Sequence, residues 1–277
     1  MAKQVLLYDQ AVPLSNEKHR DWSIKVGSDY SFAADINAVP LTAVEIIAAA
    51  AEYPIIFASK EGSMLPLAML GIRKEQSLYV DEDGTWNAKY IPAFIRRYPF
   101  VFSSATEDGK SLLCIDESFS GCNTEGRGER LFDSDGVRSQ YLERVLGFLR
   151  NYQLHFERTR LFCQKLIELD VMEPILAQME GSDGAKQQMS GFMAVNRKKL
   201  KAVPADKIAE LLSTDELELI YLHMFSLRNF QTMFEKAGER AKIKDSETSS
   251  FSAEGDADTA ENSFAANGEE PSSAKPH

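Results

Sequence analysis

The chain has 277 residues, of which 44% are hydrophobic and 10% aromatic, and its formal net charge is −11. This length and apolar content allow a sizeable core in one large or two small domains. The net negative charge argues against a nucleic-acid or anionic-membrane surface, because neither accepts an acidic partner without a strong basic patch. The densest basic cluster, Arg197–Lys201, has no interleaved aromatic residues to stack on bases, and we interpret it as a solvated helix face.

Three cysteines, Cys114, Cys122 and Cys163, are an odd number without C-x-x-C spacing. We therefore expect reduced thiols rather than a disulfide framework or a structural zinc site. The N-terminal apolar run Val5–Tyr8 is too short for the apolar core of a signal peptide. No apolar stretch approaches the roughly 20 residues that a transmembrane helix needs, so we predict a cytoplasmic protein without membrane insertion.

The N-terminal part combines one clear helix start with several strand patterns. Thr42–Glu45 forms a capping box, which predicts a helix that ends before Pro54. Short apolar runs separated by charged turns then predict strands. The strand segments are Val5–Tyr8, Ile55–Phe57, Leu65–Ile72, Ser77–Val80, Phe100–Phe102 and Leu112–Ile115. The last two flank the turn Glu107–Lys110 and are typical of a hairpin, so an antiparallel sheet with helices packed on it is expected up to about residue 116.

The C-terminal half has mainly helical patterns. It begins after a glycine-containing connection, Glu117–Val137, which is either a functional loop or a plain surface excursion. From Arg138 to Asp170, apolar residues recur at three- and four-residue steps, which predicts one long helix. One more strand is expected at Gly191–Val195. Two helices should follow, one opened by Pro204 and one by a second capping box that starts at Ser213.

Beyond Lys244 the composition shifts to Ser, Ala, Glu, Asp and Gly, with Phe251 and Phe264 as the only large apolar residues. Such a segment cannot bury enough surface to offset its ordering entropy, so we predict a disordered acidic tail over residues 241–277. The predicted fold class is α+β, with an antiparallel sheet and packed helices in the N-terminal half and a mainly helical C-terminal half. A single domain is expected over residues 1–240, sheet-rich to about 116 and helix-rich from about 138.

The densest motif is the segment Trp86–Phe100, which contains five aromatic residues, two prolines and an arginine pair. Pro92 suits the first position of a helix, and Pro99 disfavours the α conformation in the residue before it. A short helix is therefore predicted between the two prolines. On a helical wheel Arg97 falls at the edge of the core face, whereas Arg96 points away from the core.

The sequence allows two interpretations of the role of Arg97. Its guanidinium could reach along a cleft wall to a carboxylate or another anionic ligand. Alternatively, Arg97 pairs with an internal acid such as Asp116 while Arg96 is solvated, which is the commoner arrangement. His155 and Thr159 interrupt the buried stripe of the long helix, where a lone histidine is more often a satisfied core group than a catalyst. The candidate ligand-binding residues are Trp86, Tyr90, Arg96, Arg97, Tyr98, Asp116, His155 and Thr159.

The sequence contains no complete local motif for catalysis or metal binding. The sequence has no G-x-S-x-G, Walker or G-x-G-x-x-G motif, and its four histidines never occur at metal-ligand spacing. Asp81–Gly84 and Asp133–Gly136 resemble fragments of a calcium loop, but both lack the twelve-residue frame that ends in a bidentate glutamate. We therefore assign no metal, no cofactor and no catalytic residue.

Several segments of the chain resemble the SapC family. They are Tyr53–Phe57, Trp86–Phe100, Leu131–Asp133, Thr159–Phe162, Gly191–Phe192 and Ser226–Leu227. The resemblance covers about residues 5–236 and is most specific in the arginine-bearing segment. The family is named for a gene beside those for surface-layer protein secretion, and its members resemble neighbours of outer-membrane receptor and tryptophan-halogenase-like flavoprotein genes. The resemblance carries no catalytic residues with it.

The leading hypothesis is a non-enzymatic binding or accessory protein linked to export or uptake at the bacterial cell surface. It would recognise a peptide or small anionic ligand through an aromatic and arginine pocket. One alternative is an enzyme that acts with a flavoprotein partner and combines Arg97 with Asp116, His155 or Thr159. Another is an assembly scaffold. A pocket that contains Arg97 and a neutralisable histidine or aspartate would favour the enzyme. A pocket with arginine and aromatic residues alone would favour the binding protein. A buried Arg97 that is fully paired with acidic residues would favour the scaffold.

Overall fold

The structure is a computed structural model that describes residues 7–60, 63–103, 111–180 and 186–242. The chain divides into two compact units, Met1–Phe234 and Glu235–His277. In the second unit the described residues 235–242 are helical, and every element named below belongs to the first unit. Residues 243–277 lie outside the described part, so the disordered tail and the domain end at residue 240 stay predictions.

In the described part of the first unit we number eleven strands and seven α-helices. The strands are β1 (Ala11–Pro13), β2 (Ser23–Ile24), β3 (Ala38–Pro40), β4 (Ile55–Lys60), β5 (Ser63–Met69), β6 (Phe100–Phe102), β7 (Leu113–Asp116), β8 (Cys122–Asn123), β9 (Glu129–Arg130), β10 (Met172–Glu180) and β11 (Lys186–Val195). The helices are α1 (Asn16–His19), α2 (Ile46–Ala49), α3 (Ala93–Arg96), α4 (Gln140–Glu168), α5 (Arg197–Ala202), α6 (Ala205–Ser213) and α7 (Glu216–Ser226). Two 3₁₀ turns lie at Ser31–Ala33 and Ala43–Glu45, and residues 229–234 are also helical.

These strands form three sheets, and every strand pair in them is antiparallel. The largest has the order β10-β11-β4-β5-β3, so the hairpin from the C-terminal half extends the sheet begun by the N-terminal half. A three-stranded sheet has the order β1-β7-β6, which leaves β6 at its edge. The third is a small sheet of two-residue strands in the order β8-β2-β9. This antiparallel architecture with packed helices confirms the predicted α+β class.

Helix α4 connects the sheets through its apolar face. Ser139 caps its N-terminus by accepting a hydrogen bond from the Leu142 amide at 3.2 Å. At 1.5 Å per residue its 29 residues span about 43 Å. Its N-terminal half packs against the three-stranded sheets through Leu142 and Leu149, and it also contacts β5 of the five-stranded sheet. The predicted helix Arg138–Asp170 is therefore confirmed and lies at the centre of the fold.

Several local predictions differ from the structure. In the predicted strand Val5–Tyr8, Leu7 and Tyr8 are not in a strand, and Val5 and Leu6 lie outside the described residues. Strand β10 was not predicted, because its Pro174 and scattered polar residues hide the alternation that marks a strand. Ser77–Val80 is not a strand and has only the isolated bridge between Val80 and Trp86. The second capping box is absent, because Asp215 occupies the N-cap of α7 at a φ of 60° and its side chain makes no cap hydrogen bond.

The connection Glu117–Val137 is built into the fold. Its strands β8 and β9 flank β2, and Leu131 belongs to the buried cluster that Leu142 and Leu149 also join. Gly128 has a φ of +91°, and a Cβ added there would lie 2.2 Å from the Ile24 carbonyl oxygen. Only glycine permits so close an approach of the connection to β2.

The segment that carries the arginine pair is attached to the core by Glu45, which is 5% exposed. One carboxylate oxygen, Oε1, accepts hydrogen bonds from the Tyr90 hydroxyl at 2.8 Å and from the Ala93 amide at 2.6 Å. The other oxygen, Oε2, accepts from the amide and the hydroxyl of Thr42, each at 2.8 Å. The predicted capping box at Thr42 is thus confirmed, and its glutamate also fixes the start of α3.

A second acidic residue, Glu52, holds the approach to α3. Its carboxylate accepts hydrogen bonds from the Lys89 amide at 3.0 Å and the Tyr90 amide at 2.9 Å. Next to it, the Trp86 indole donates to the Tyr53 hydroxyl at 3.0 Å, and that hydroxyl donates to the Tyr90 carbonyl. The helix α3 itself has only four residues, so these bonds rather than helix propensity determine where its arginines lie.

We expect Glu45→Gln to lower the free energy of unfolding by about 2–4 kcal/mol, because an amide NH₂ would replace an oxygen that accepts two buried hydrogen bonds. Glu52→Gln is the matched control. Its acceptor bonds are more exposed, so a loss of about 1 kcal/mol is expected. Urea unfolding of both variants measures the difference, and a Glu45→Gln loss no larger than that of Glu52→Gln would contradict the role given to Glu45.

A buried histidine joins α7 to the five-stranded sheet. His223 is fully buried, its Nε2 accepts the Val195 amide at 3.1 Å, and its ring meets the Phe57 ring edge-on at 4.8 Å. Burial lowers the pKa of His223 to about 4, because the charged imidazolium would lose its hydration. His223 is therefore a core residue, although its Nδ1 atom has no hydrogen-bond partner among the described residues.

This depressed pKa predicts a loss of stability in acid. Between pH 6.5 and pH 4 the unfolded chain binds a proton at His223 that the native ring does not accept, so protons favour unfolding in that window. From pH 7 to pH 4.5, wild type should lose about 2–3 kcal/mol more unfolding free energy than His223→Gln, whose side chain does not titrate. Urea unfolding at both pH values measures the two losses, and equal losses would contradict the prediction.

Candidate functional site

The guanidinium of Arg97 lies among aromatic rings at the end of α3. Its Cζ atom is 4.1 Å from the ring centroid of Phe94, 5.1 Å from that of Tyr152 and 5.8 Å from that of Tyr8. The residue is half-buried, and its Nε atom is buried without a hydrogen-bond partner. In the described ranges no carboxylate forms an ion pair with Arg97.

This guanidinium borders a cavity of about 690 Å³, which we call cavity 1. Cavity 1 is lined by Pro40, Leu65, Phe94, Arg97, Val101, Phe102, Leu149, Arg150, Tyr152, Gln153, Leu154, Phe156 and Glu157. Its walls come from α3 and α4, from the edge strands β3 and β6 of two sheets, and from β5. Its volume lies within the range of small-molecule sites.

The charged groups of cavity 1 leave it with an excess of positive charge. Arg150 lines it as an exposed residue and forms no ion pair with the described residues. The acidic residue at its wall, Glu157, forms an exposed ion pair with Arg160 at 3.1 Å. Cavity 1 is therefore lined by two arginines that have no acidic partner among the described residues, one half-buried and one exposed. Such an arrangement attracts an anion.

Arg96 and Tyr98 border a separate space, cavity 2, of about 520 Å³. Its aromatic lining residues are Tyr30, Phe32, Tyr98, Phe100, Phe119, Tyr141 and Phe148. Arg96 is exposed, donates from Nε to the Ile91 carbonyl at 2.9 Å and lies 5.4 Å from the Phe148 ring centroid. Tyr98 stacks on Phe32 at 4.2 Å, and its burial raises its pKa to about 12. Arg97 also lines cavity 2, so its side chain stands between the two cavities.

The buried Asp116 does not pair with Arg97. Its carboxylate accepts hydrogen bonds from the amides of Asp9, Gln10 and Ser118 at 2.8, 3.1 and 3.0 Å, and from the Ser118 hydroxyl at 2.7 Å. The alternative in which Asp116 neutralises Arg97 is thus not what the structure shows. Asp116 instead fixes the chain before β1 to the end of β7.

His155 and Thr159 lie on α4 but do not line cavity 1. The Thr159 hydroxyl accepts the Ala43 amide at 2.7 Å and donates to the His155 carbonyl at 2.7 Å, so it joins α4 to the 3₁₀ turn. His155 is half-buried, and its Nδ1 has no hydrogen-bond partner among the described residues. The expectation that His155 is a satisfied core group is therefore met only in part.

The structure thus separates the eight predicted site residues. Arg97 alone lines cavity 1, and Arg96, Arg97 and Tyr98 line cavity 2. The side chains of four others form hydrogen bonds within the fold, and His155 takes part through its backbone carbonyl; the four are Trp86, Tyr90, Asp116 and Thr159. Trp86 and Tyr90 line neither cavity and instead attach the segment Trp86–Phe100 to Tyr53 and Glu45.

Four residues around Arg97 were not among the sequence candidates: Tyr8, Phe94, Arg150 and Tyr152. A signal existed for Arg150, because Leu149, Arg150, Gln153 and Glu157 recur at helical spacing on α4 and share one face. Nothing local pointed to Tyr8, which approaches Arg97 from 89 positions earlier and donates its hydroxyl to the Phe100 carbonyl at 2.8 Å.

The described residues contain no group of three or more His, Cys, Asp and Glu side chains placed to hold a metal ion. Among the helices they form, none is both long and apolar enough to cross a membrane.

Comparison with known proteins supports the family resemblance. A family model described as SapC matches residues 14–233, which cover most of the chain and include Arg96, Arg97 and the whole of α4. No curated protein and no solved structure matches the chain. Since the family match extends over far more than half of the sequence, the chain belongs to the SapC family.

Proposed function

We propose that the protein is a non-enzymatic binding protein that holds a peptide or small anionic ligand in cavity 1. The observation that carries the proposal is the Arg97 guanidinium, half-buried against rings and without a carboxylate partner in the described ranges. Burying a charge without an acidic partner is costly, and an anionic ligand would relieve that cost.

The arrangement of Arg97 suits an incoming anion. Rings on the face of a guanidinium stabilise the cation, while its planar edge keeps N–H donors for a carboxylate. Charge-assisted hydrogen bonds of this kind contribute about 1.5–3 kcal/mol, and the bidentate form adds geometric selectivity. Arg150 at the exposed side of cavity 1 would add a second attraction for the same ligand.

The lining of cavity 1 favours binding over catalysis. In the described ranges no histidine or aspartate lines it, and Glu157 pairs with Arg160. The three residues that would complete an enzymatic site, Asp116, His155 and Thr159, lie outside it. Because a general acid or base must reach the substrate, this lining supports the binding hypothesis. A scaffold in which internal acids seal Arg97 gains no support either.

We further propose that this binding protein acts as an accessory to export or uptake at the bacterial cell surface, from the cytoplasmic side. The support is the family's association with surface-layer secretion and outer-membrane receptor genes. Under this proposal the ligand is a segment or product of the exported or imported cargo, and a protein partner of the transport system receives it.

We expect small carboxylates with an apolar body, such as N-acetyl-leucine, to stabilise wild type. A ligand at ten times its dissociation constant adds about 1.4 kcal/mol, which raises Tm by about 3–5 °C. Arg97→Gln should abolish the shift, because it removes the charge-assisted bonds. Differential scanning fluorimetry with a panel of amino-acid derivatives, peptides and organic anions measures the effect.

Arg96→Gln is the matched control, since it removes the neighbouring charge on the same short helix without changing cavity 1. It should keep the full thermal shift. A panel in which no anion stabilises wild type, or in which Arg97→Gln keeps the shift and Arg96→Gln loses it, would contradict the proposal.

A further inference from the structure

We propose that the ligand is the C-terminal end of an extended peptide, with its carboxylate on Arg97 and its chain running past Arg150 along α4. This inference rests on the proposed function and names the ligand class of the same site. It follows from how cavity 1 continues into a second space and from the polar groups along that path.

The second space, cavity 3, has a volume of about 900 Å³ and shares Phe102, Arg150 and Gln153 with cavity 1. Both cavities lie along α4, which contributes Leu146 and Leu149 to their walls. Since three residues line both, the two spaces adjoin along α4, and we call them together the groove. A compact anion would fill only one part of such a groove, whereas an extended chain can occupy its length.

The groove has a direction because its positive charges are placed unevenly. Arg97 lines cavity 1 and cavity 2 but not cavity 3, whereas Arg150 lies where cavities 1 and 3 meet. A peptide that places a carboxylate on Arg97 and runs past Arg150 into cavity 3 therefore has its negative charge at one end, as a C-terminus does.

Cavity 3 offers groups that suit a peptide backbone rather than more negative charge. The Oδ1 atom of Asn16, which lines it, is buried and has no hydrogen-bond partner among the described residues. An unpaired buried acceptor is satisfied by an N–H donor, and each peptide residue other than proline carries one. The charges of Arg138 and Glu143 offset each other at 3.6 Å, so this part of the groove is close to neutral.

The wall opposite α4 also fits an extended chain. It includes Phe102 of β6, which is the edge strand of its sheet, and Leu112 and Leu113 beside it. Edge strands accept extended peptides, with side-chain pockets giving selectivity. The groove is therefore suited to a peptide with apolar side chains and one negative charge, at its C-terminus.

Isothermal titration calorimetry with three probes tests this ligand class on the full chain. The probes are an acetylated hexapeptide with five alanines and a C-terminal leucine, the same hexapeptide as its C-terminal amide, and N-acetyl-leucine. The peptide acid should bind at least tenfold more tightly than N-acetyl-leucine, because only the peptide occupies cavity 3. It should bind at least tenfold more tightly than the amide, because the amide lacks the charge for Arg97.

Variants assign the two ends of the groove. Arg97→Gln should weaken the binding of both carboxylate probes by tenfold or more. Asn16→Ala should weaken the binding of the peptide acid at least threefold and leave the binding of N-acetyl-leucine unchanged. Arg150→Gln, which changes an exposed side chain, should also weaken the binding of the peptide acid at least threefold.

Each opposite result has a separate meaning. If N-acetyl-leucine binds as tightly as the peptide acid, the peptide inference is overturned and the proposed function stands. If the amide binds as tightly as the acid, the C-terminal carboxylate is not what is recognised, and the inference is overturned. If none of the three probes binds, both this inference and the proposed binding of a carboxylate in cavity 1 are overturned.

Discussion

The position of the arginine segment depends on one buried carboxylate. Glu45 accepts four hydrogen bonds, two from Thr42 at the start of its own turn and two from the segment that contains Tyr90 and Ala93. A carboxylate can remain charged in a core only when such donors surround it, so the two segments are held in one arrangement. Helix α3 has only four residues, which are too few to form a stable helix without tertiary contacts. The position of Arg97, which directly follows α3, therefore depends on the hydrogen bonds to Glu45.

The contrast between the two charges is what suggests a function. The negative charge of Glu45 is satisfied by neutral donors within the fold, and Asp116 is satisfied in the same way. The positive charge of Arg97 has aromatic rings on its faces but no described carboxylate at its edge. In a chain with a net charge of −11 acids are plentiful, so a half-buried arginine left without one is informative. The same fold that satisfies its buried acids leaves this cation without an acidic partner among the described residues, which is the basis of the proposed ligand site.

The sequence was sufficient for elements with strong local signals and insufficient for those that depend on distant partners. The period of Gln140–Glu168, the capping box at Thr42 and the prolines around α3 are local, and each was predicted. The pairing of β11 with β4 joins residues more than 130 positions apart, and cavity 1 is assembled from five elements and their connections. Arg97 could be selected as a candidate because it lies in a dense motif. Its ring partners Tyr8 and Tyr152 could not, since only tertiary packing brings them to it.

The central claim is that the Arg97 guanidinium makes direct contact with a bound carboxylate. Side-chain ¹H–¹⁵N NMR spectra of the arginine Nε–H groups test it most directly, with the Arg97 signal assigned by its loss in Arg97→Gln. The account predicts that titration with N-acetyl-leucine shifts the Arg97 Nε–H resonance in a saturable way and leaves that of the exposed Arg96 nearly unchanged. An Arg97 resonance that stays in place while the ligand saturates the protein would contradict the account.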